Sequence, residues 1–476
     1  MSFGRNYQPA PSFPSLGGEF FDGVEAATFP RHAPRYQNQR AAASVGLAEL
    51  SDSEWEQHFA RLEPLPRNLS EPLALRYHGH QFQTYNPWLG DGRGFLHAQL
   101  LDDQGRLLDL GTKGSGTTPY SRGGDGRLTL KGAVRELLAT EMLEALGVYT
   151  SKTFSVFETG EHLQRSDEPS PTRAGIMVRL SHSHIRFGSF QRHAFSRRDD
   201  LLQQLLEFSH DNYLPGLDLH GHDDLAGAFL DEVVARSAHL VATWMMAGFV
   251  HGVLNTDNMN ITGESFDYGP WRFLPTLDPA FTAAYFDFGG LYAYGKQADA
   301  VQWNLYRLAD ALLPISSEAS LRRGLDSYET ALAAATRRQF LARMGLQCRD
   351  EGADGALLEA ALLLLRDSQM PFERIFFDWH GGLRRKEQAL AGKAAEWYAG
   401  DAFTDFAERL GGFEPSEQGA LDHAYFQDEA PCTMIIEEME ATWEPIAKDD
   451  HWAALDRKLA DIRRMGEALA LQPRPR

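Results

Sequence analysis

Cysteine is nearly absent from this chain. Among 476 residues only Cys348 and Cys432 occur, too few for a disulfide framework and without the paired spacing of a metal site. They read as two idle thiols of a reducing compartment. Basic charge is short as well: 46 Lys and Arg against 66 Asp and Glu leave a formal charge of −20. That excess excludes a broad nucleic-acid or anionic-membrane surface, though it leaves room for a local basic pocket. Long apolar runs are missing too. The longest, Leu240 to Val250, is interrupted by Thr243 and falls well short of the ~20 residues a membrane span needs. Met1 to Gln8 has neither the basic stretch nor the apolar run of a secretory signal. The expectation is a soluble, cytoplasmic protein that binds neither nucleic acid nor membrane.

What is present is globular. A 43% hydrophobic and 11% aromatic content supports a real core, and at roughly 150 residues per domain the length suits about three units or two large lobes with appendages. Residues 1–74, rich in Pro, Arg and Gln with one helical patch at Leu47 to Leu62, read as an extension wrapping the core. Phe95 to Leu101 and Arg106 to Thr112 are strand-length apolar runs joined by the turn Asp102 to Gly105. A helix follows, with Val134, Leu137, Leu138, Met142, Ala145 and Leu146 on one face and Gly147 ending it. A second strand block, Thr153 to Glu158 with Ile176 to Leu180, closes the smaller lobe near His182. Helical patterns then run over Leu201 to Phe208, Ala226 to Val250, Val301 to Leu313, Leu321 to Met344 and Gly355 to Arg366. The sequence therefore predicts an α+β fold: a β-rich smaller lobe (75–187), a mainly helical larger lobe (188–400), a C-terminal helical region (401–476), and a nucleotide-sized cleft between the lobes.

The chemistry-bearing residues cluster around that cleft. Gly90 and Gly92, flanking Asp91 and followed by Arg93, and then Asp125 with Gly126, are glycine turns whose backbone N–H groups can approach phosphate oxygens. Lys113 ends a strand and Glu136 follows on the next helix; a strand lysine tied to a helix glutamate is the pair with which protein kinases grip phosphates. Beyond the helix ending near Val250, Met259 to Thr262 alternates as a strand, Gly263-Glu264 suits a two-residue turn, and Ser265 to Asp267 starts a return strand. That hairpin would set Asn258 near Asp267, an amide oxygen and a carboxylate suited to Mg²⁺ carrying a polyphosphate. Asp257 would orient or deprotonate an incoming hydroxyl. Arg179 and Arg186 stand where the lobes meet and suit a phosphate grip. His78, His80, His182, His184, His220 and His222 lack the companion carboxylate or cysteine that a zinc site needs.

These residues resemble the selenoprotein O family, protein-kinase-like enzymes that transfer AMP from ATP to protein hydroxyls. The resemblance rests on G-H-Q-F (79–82), L-G-D-G-R (89–93), T-K-G-S-G-T-T-P-Y-S-R (112–122), G-D-G-R (124–127), V-R-E (134–136), R-L-S-H-S-H-I-R-F-G (179–188), H-G-V-L-N-T-D-N-M (251–259), D-Y-G-P (267–270) and W-N-L-Y-R-L-A (303–309). It implies a protein-kinase-like bilobal fold with ATP bound flipped, so that the α-phosphorus faces the acceptor. It further implies that Gly90, Gly92, Arg93, Lys113, Asp125, Gly126, Arg179, Arg186 and Asp267 contact the nucleotide. Asn258 and Asp267 would hold Mg²⁺, with Mn²⁺ as the alternative, and Asp257 would accept the proton. The partners implied are ATP and proteins bearing Ser, Thr or Tyr hydroxyls, the enzyme itself included, with UTP as a second donor.

Two departures stand out. Gln83 replaces the glycine that usually follows G-H-Q-F, and Ala430 to Ile436 stands where members carry an asparagine-proline-lysine-type string. The family also pairs a cysteine or selenocysteine of the tail with a cysteine in the loop after D-Y-G-P. Here Asp278 to Tyr285 and Leu471 to Arg476 contain neither, so no oxidative closure over the cleft is expected. The alternatives to adenylyl transfer are an ordinary kinase moving the γ-phosphoryl group and a nucleotide-binding pseudokinase scaffold.

Overall fold

The computed structural model describes residues 3–4, 6–391, 393–416 and 420–471; the expected tail at 472–476 lies outside them. In chain order the elements that build the site are β1 (Phe21–Gly23), β2 (Ala33–Gln37), α1 (Gln39–Ser44), α2 (Asp52–Phe59), β3 (Leu73–Leu75), β4 (Gly79–Gln81), β5 (Thr84–Asn86), β6 (Leu96–Leu101), β7 (Leu107–Lys113), β8 (Leu128–Thr129), α3 (Leu130–Ala145), β9 (Lys152–Leu163) and β10 (Thr172–Ser181). Helices dominate from there: α4 (Phe187–Phe195), α5 (Asp199–Tyr213), α6 (Leu225–Met246), the short pair β11 (Phe249–Val250) and β12 (Arg272–Phe273), then α7 (Gln297–Leu312) and, among the described residues, eight more α-helices to Leu469. Among the described residues no helix is long and apolar enough to cross a membrane.

One eight-stranded sheet runs β1-β3-β6-β7-β10-β9-β2, with β8 on β10, and every pairing is antiparallel. The turn between β6 and β7 closes because Asp102 accepts hydrogen bonds from the backbone N–H groups of Gln104 and Arg106 at 3.0 and 2.8 Å, and Gly105 supplies the left-handed φ of +75°. Thr129 caps α3 by accepting from Gly132 N at 3.1 Å. The helix stops at Gly147, whose φ is +78°.

Strand alternation then assigns faces. Leu108 and Leu110 of β7 and Ile176, Val178 and Leu180 of β10 pack with Trp55 and Phe59 of α2 in one core cluster. The opposite face turns Lys113 and Arg179 toward α3. Met177 pairs with Lys113 and Arg179 with Gly111, so the two cations are diagonal neighbours on that face.

The structure corrects four expectations. The extension is more than a wrap: β1 and β2 form the two outer strands of the sheet, and the helical patch shrinks to α2, fixed by a capping box of Ser51 and Glu54. The helix expected to Val250 ends at Met246, because Gly248 turns with φ +62° and Phe249 and Val250 pair with Phe273 and Arg272. The long helix expected over Leu321 to Met344 is two, Glu318–Asp326 and Tyr328–Arg343. No hairpin joins 259–262 to 265–267. Asn260 bridges to Arg186 and Ser265 to Thr150 instead, while the Asn260 side chain accepts from Thr262 N and donates to the Ser183 carbonyl. The segment makes a tight turn of its own over 260–263 and is otherwise pinned to its neighbours, not paired as a hairpin.

Candidate active site

The centre of the site is a buried ion cluster. Lys113 Nζ lies 2.6 Å from Glu136 Oε2 and 2.7 Å from Asp267 Oδ1. Arg179 Nη1 stands 3.4 Å from Glu136 and 3.5 Å from Asp267. Arg186 donates to the Asp257 carbonyl at 2.8 Å and to Asp91 at 3.3 Å, and its guanidinium stacks between the rings of Tyr77 and Phe266 at 4.5 and 4.9 Å. Burial alone would raise the Asp267 carboxyl, but Lys113, Arg179 and Arg186 hold it well below the usual carboxylate range. Asp257 behaves oppositely. Burial pushes it up to about 6 against the pull of Arg186, and its Oδ1 is buried without a hydrogen-bond partner. The Nε atoms of Arg179 and Arg186 are likewise buried and unpartnered, an expensive state in a closed core and a useful one at a polar ligand.

These groups open onto a cavity of about 710 Å³, a volume suited to a small-molecule ligand. Gly90, Gly92, Arg93, Lys113, Asp125, Gly126, Arg179, Arg186, Asp257 and Asp267 all line it. The glycines are there for space. A Cβ on Gly90 would stand 2.3 Å from the Tyr120 ring, and one on Gly126, at φ +68°, 2.2 Å from the Gly116 backbone. Asp125 is held by Arg165 at 2.8 and 3.0 Å.

Two predicted residues stand apart from that wall. Glu136 sits behind Lys113, lining an adjoining cleft. Asn258 lies in a short 3₁₀ turn (Thr256–Asn258), outside the cavity lining, and its Nδ2 donates to the Val253 carbonyl at 3.0 Å. That bond leaves Oδ1 of Asn258 for a ligand, and both cations on Asp267 address Oδ1, leaving Oδ2. A neutral and a charged oxygen donor are of the kinds that a hard cation such as Mg²⁺ or Mn²⁺ takes. Among the described residues no group of three or more His, Cys, Asp or Glu is arranged to hold a metal by itself. The histidines are dispersed: His78 meets Tyr85, His80 meets Gln191, and His184 meets Asp109.

Reading the sequence missed the β4–β5 hairpin's part in the site. It lies over the Asp257 turn, with His80 N donating to Thr256 Oγ1 at 2.7 Å and Phe82 N to Asn255 Oδ1 at 3.1 Å. Tyr292 donates to the same Asn255 oxygen at 2.8 Å, and Gln81 bonds the Asp257 carboxyl. Phe82 and Gln83 both have left-handed φ, +49° and +63°, a type of turn that usually carries Asn-Gly. The G-H-Q-F string was the available signal, since a non-glycine pair strained in this way marks functional constraint. Tyr120 and Arg165 were missed as well.

A cavity walled by glycine turns and buried cations, with an unpartnered carboxyl oxygen beside them, suits an anionic ligand such as a polyphosphate. Comparison with known proteins makes the class specific: the chain belongs to the family described as protein adenylyltransferase SelO, whose model matches residues 4–463. It is 42% identical over 458 residues to a protein from Synechocystis named protein nucleotidyltransferase YdiU, covering 93% of this chain and 95% of that one. Proteins of the same name from Synechococcus elongatus and Trichodesmium erythraeum are 42% and 41% identical, over 97% and 94% of this chain and 96% of each relative. The chain is a nucleotidyltransferase.

Proposed function

We propose that this enzyme transfers AMP from ATP to Ser, Thr or Tyr hydroxyls of proteins, itself among them, on a protein-kinase-like bilobal fold with the cleft between 75–187 and 188–400. The observation that carries the reading is the gathering of cations around one unpartnered carboxyl oxygen in the cavity. Lys113, Arg179 and Arg186 supply three buried cations, more than a single lysine grip needs, and Asp257, held through its carbonyl by Arg186, lines the same cavity with a buried carboxyl oxygen that has no partner.

Such an arrangement draws the β- and γ-phosphates toward the arginines and leaves the α-phosphorus beside Asp257. The acceptor hydroxyl gives its proton to Asp257 as its oxygen bonds the α-phosphorus, the bond to the β-phosphate oxygen breaks, and pyrophosphate leaves with its charge offset by Lys113, Arg179 and Arg186. Asn258 and Asp267 would hold the divalent ion, Mg²⁺ with Mn²⁺ as the alternative, which supplies charge neutralisation to the triphosphate when bound. Gly90, Gly92 and Gly126 let the backbone approach the nucleotide, and Arg93 and Asp125 flank it. UTP, delivering UMP, fits the same chemistry.

The test is incubation with ATP labelled at either the α- or the γ-phosphorus, followed by recovery of protein. Protein should retain α-label and not γ-label, self-modification being the first signal. Retention of γ-label alone makes the enzyme a kinase, and retention of neither makes it a binding scaffold.

A further inference from the structure

A second cleft, of about 440 Å³, shares Arg93, Lys113 and Arg165 with the nucleotide cavity and opens between the start of α3 and the segment that follows Asp267. Two arginines line it without acidic partners. Arg135 of α3 donates only to the carbonyls of Gly269 and Trp271, at 3.3 and 3.2 Å, with its guanidinium 4.9 Å from the Trp271 ring. Arg272 of β12 donates to the carbonyls of Pro270 and Trp271, at 3.3 and 2.9 Å. Neither has a carboxylate within ion-pair distance among the described residues, although Arg127, Arg165 and Lys131 nearby all do. The acid nearest in influence, Glu440, is bound to Lys131 at 2.8 Å. Burial and the charge of Arg272 push the Arg135 guanidinium down to about 10.

Two half-buried guanidinium groups fixed side by side on backbone carbonyls keep most of their donors for an anion. The nucleotide is not the natural source, because its phosphates meet Lys113, Arg179 and Arg186 in the other cavity. The wall of this cleft also carries Tyr285 and Phe286, exposed at 75% and 41% with ring centroids 5.1 Å apart, which suits a polypeptide. The lining sets six Lys and Arg against four Asp and Glu, and on a molecule of charge −20 that local excess of positive charge offsets the general repulsion of an acidic partner. We propose that Arg135 and Arg272 form a subsite for a carboxylate side chain of the acceptor protein, so that the enzyme favours hydroxyls flanked by aspartate or glutamate. This inference rests on the proposed transfer to protein hydroxyls.

The test measures binding and transfer separately, on the full chain. A fluorescent peptide bearing serine and tyrosine between glutamates is compared with one between glutamines, by anisotropy without turnover and by incorporation of α-label. The glutamate peptide should bind about tenfold or more tightly, and the margin should shrink with added salt. Arg135→Gln and Arg272→Gln keep an amide donor for the carbonyls of 269–271, and unchanged thermal unfolding verifies that the fold holds. Each should reduce the preference, the pair together should abolish it, and Arg272→Glu should favour a lysine-flanked peptide. In transfer, the double variant should raise KM for the glutamate peptide and leave it unchanged for the glutamine one. Equal binding of the two peptides by the unaltered enzyme, or a preference that survives both substitutions, overturns the subsite. Absence of α-label transfer overturns the proposed reaction and leaves the anisotropy to judge the subsite.

Discussion

Replacing Lys113 with methionine should cost stability as well as activity, and the two losses can be separated. Lys113 is held between Glu136 and Asp267 at 2.6 and 2.7 Å, and its side chain and that of Glu136 are almost wholly buried. Removing one partner of a buried pair typically costs about 3–5 kcal/mol, because the other charge is left behind. Arg179 still stands 3.4 and 3.5 Å from the same carboxylates, and Asp267 is partly open to water, so the expected loss lies at the low end, about 3 kcal/mol. Urea unfolding followed by circular dichroism should show the earlier midpoint. Adding Glu136→Gln to Lys113→Met replaces the stranded carboxylate with an amide and should recover at least about 1 kcal/mol. It should not restore α-label transfer, since the phosphate contact is gone. An unchanged midpoint for the single variant, or no recovery in the double one, would refute the account of a cation buried between two carboxylates. Full transfer by Lys113→Met would remove the lysine from the nucleotide grip.

Further outcomes follow from other parts of the site. Asp267→Ala should abolish transfer, and full transfer with unchanged unfolding would remove that carboxylate from the mechanism. Gly126→Ala should raise KM for ATP sharply, because the left-handed φ and the 2.2 Å approach to Gly116 leave no room for a methyl group; wild-type KM would show that the turn relaxes. Burial pushes Glu264 from 4.5 up to about 8, so the folded chain holds a proton there that the unfolded chain releases. Stability should therefore fall as pH rises from about 4.5 to 8, by about 1.4 kcal/mol per pH unit. Unfolding of Glu264→Gln should lack that slope, and parallel pH profiles of the two proteins would refute the shift. Transfer should be the same with and without dithiothreitol. Cys348 and Cys432 are the only thiols, and burial pushes Cys432 up to about 12, far from a reactive thiolate. A reversible thiol dependence traced to either cysteine would overturn this.

How much of this could be read from the residues depended on how local the cause was. The β6–β7 turn, α3 and its stop at Gly147 were legible because a side-chain cap, a 3.6-residue period and a glycine act within a few positions. Lys113 and Glu136 were legible as a pair because a strand lysine followed by a glutamate on the next helix is the pattern of the kinase ion pair. The edge strands were not. Ala33–Gln37 pairs with a strand more than a hundred residues away, and nothing in a Pro- and Arg-rich stretch announces that partner. The hairpin expected at 259–267 failed for the opposite reason. Gly263-Glu264 has turn chemistry, but Asn260 spends its amide on Ser183 and Thr262, and Gly263 backs closely onto Arg236. Tertiary contacts outweighed a plausible local signal, and Asn258 was left in a 3₁₀ turn instead of at a hairpin start.

The state of the site also constrains how it can be loaded. Lys113 and Arg179 share Glu136 and Asp267, and Arg186 is shared by Asp91 and the Asp257 carbonyl, so each of these cations already has a partner. An arriving polyphosphate must therefore compete with carboxylates of the protein, and the strength of its grip depends on how readily they yield. Glu136, buried behind Lys113, has nowhere to go. Asp267, whose side chain is 29% exposed, is the partner that can turn toward a ligand without leaving a stranded buried charge. Its left-handed backbone, φ +63°, places that one carboxylate where sheet, helix and cavity meet. Asparagine tolerates the same conformation, so Asp267→Asn isolates the charge from the backbone geometry. That variant should keep its fold, lose the pull that Lys113 and Arg179 now feel, and still fail in transfer, whereas a variant that transfers normally would mean that the carboxylate only balances the lysine.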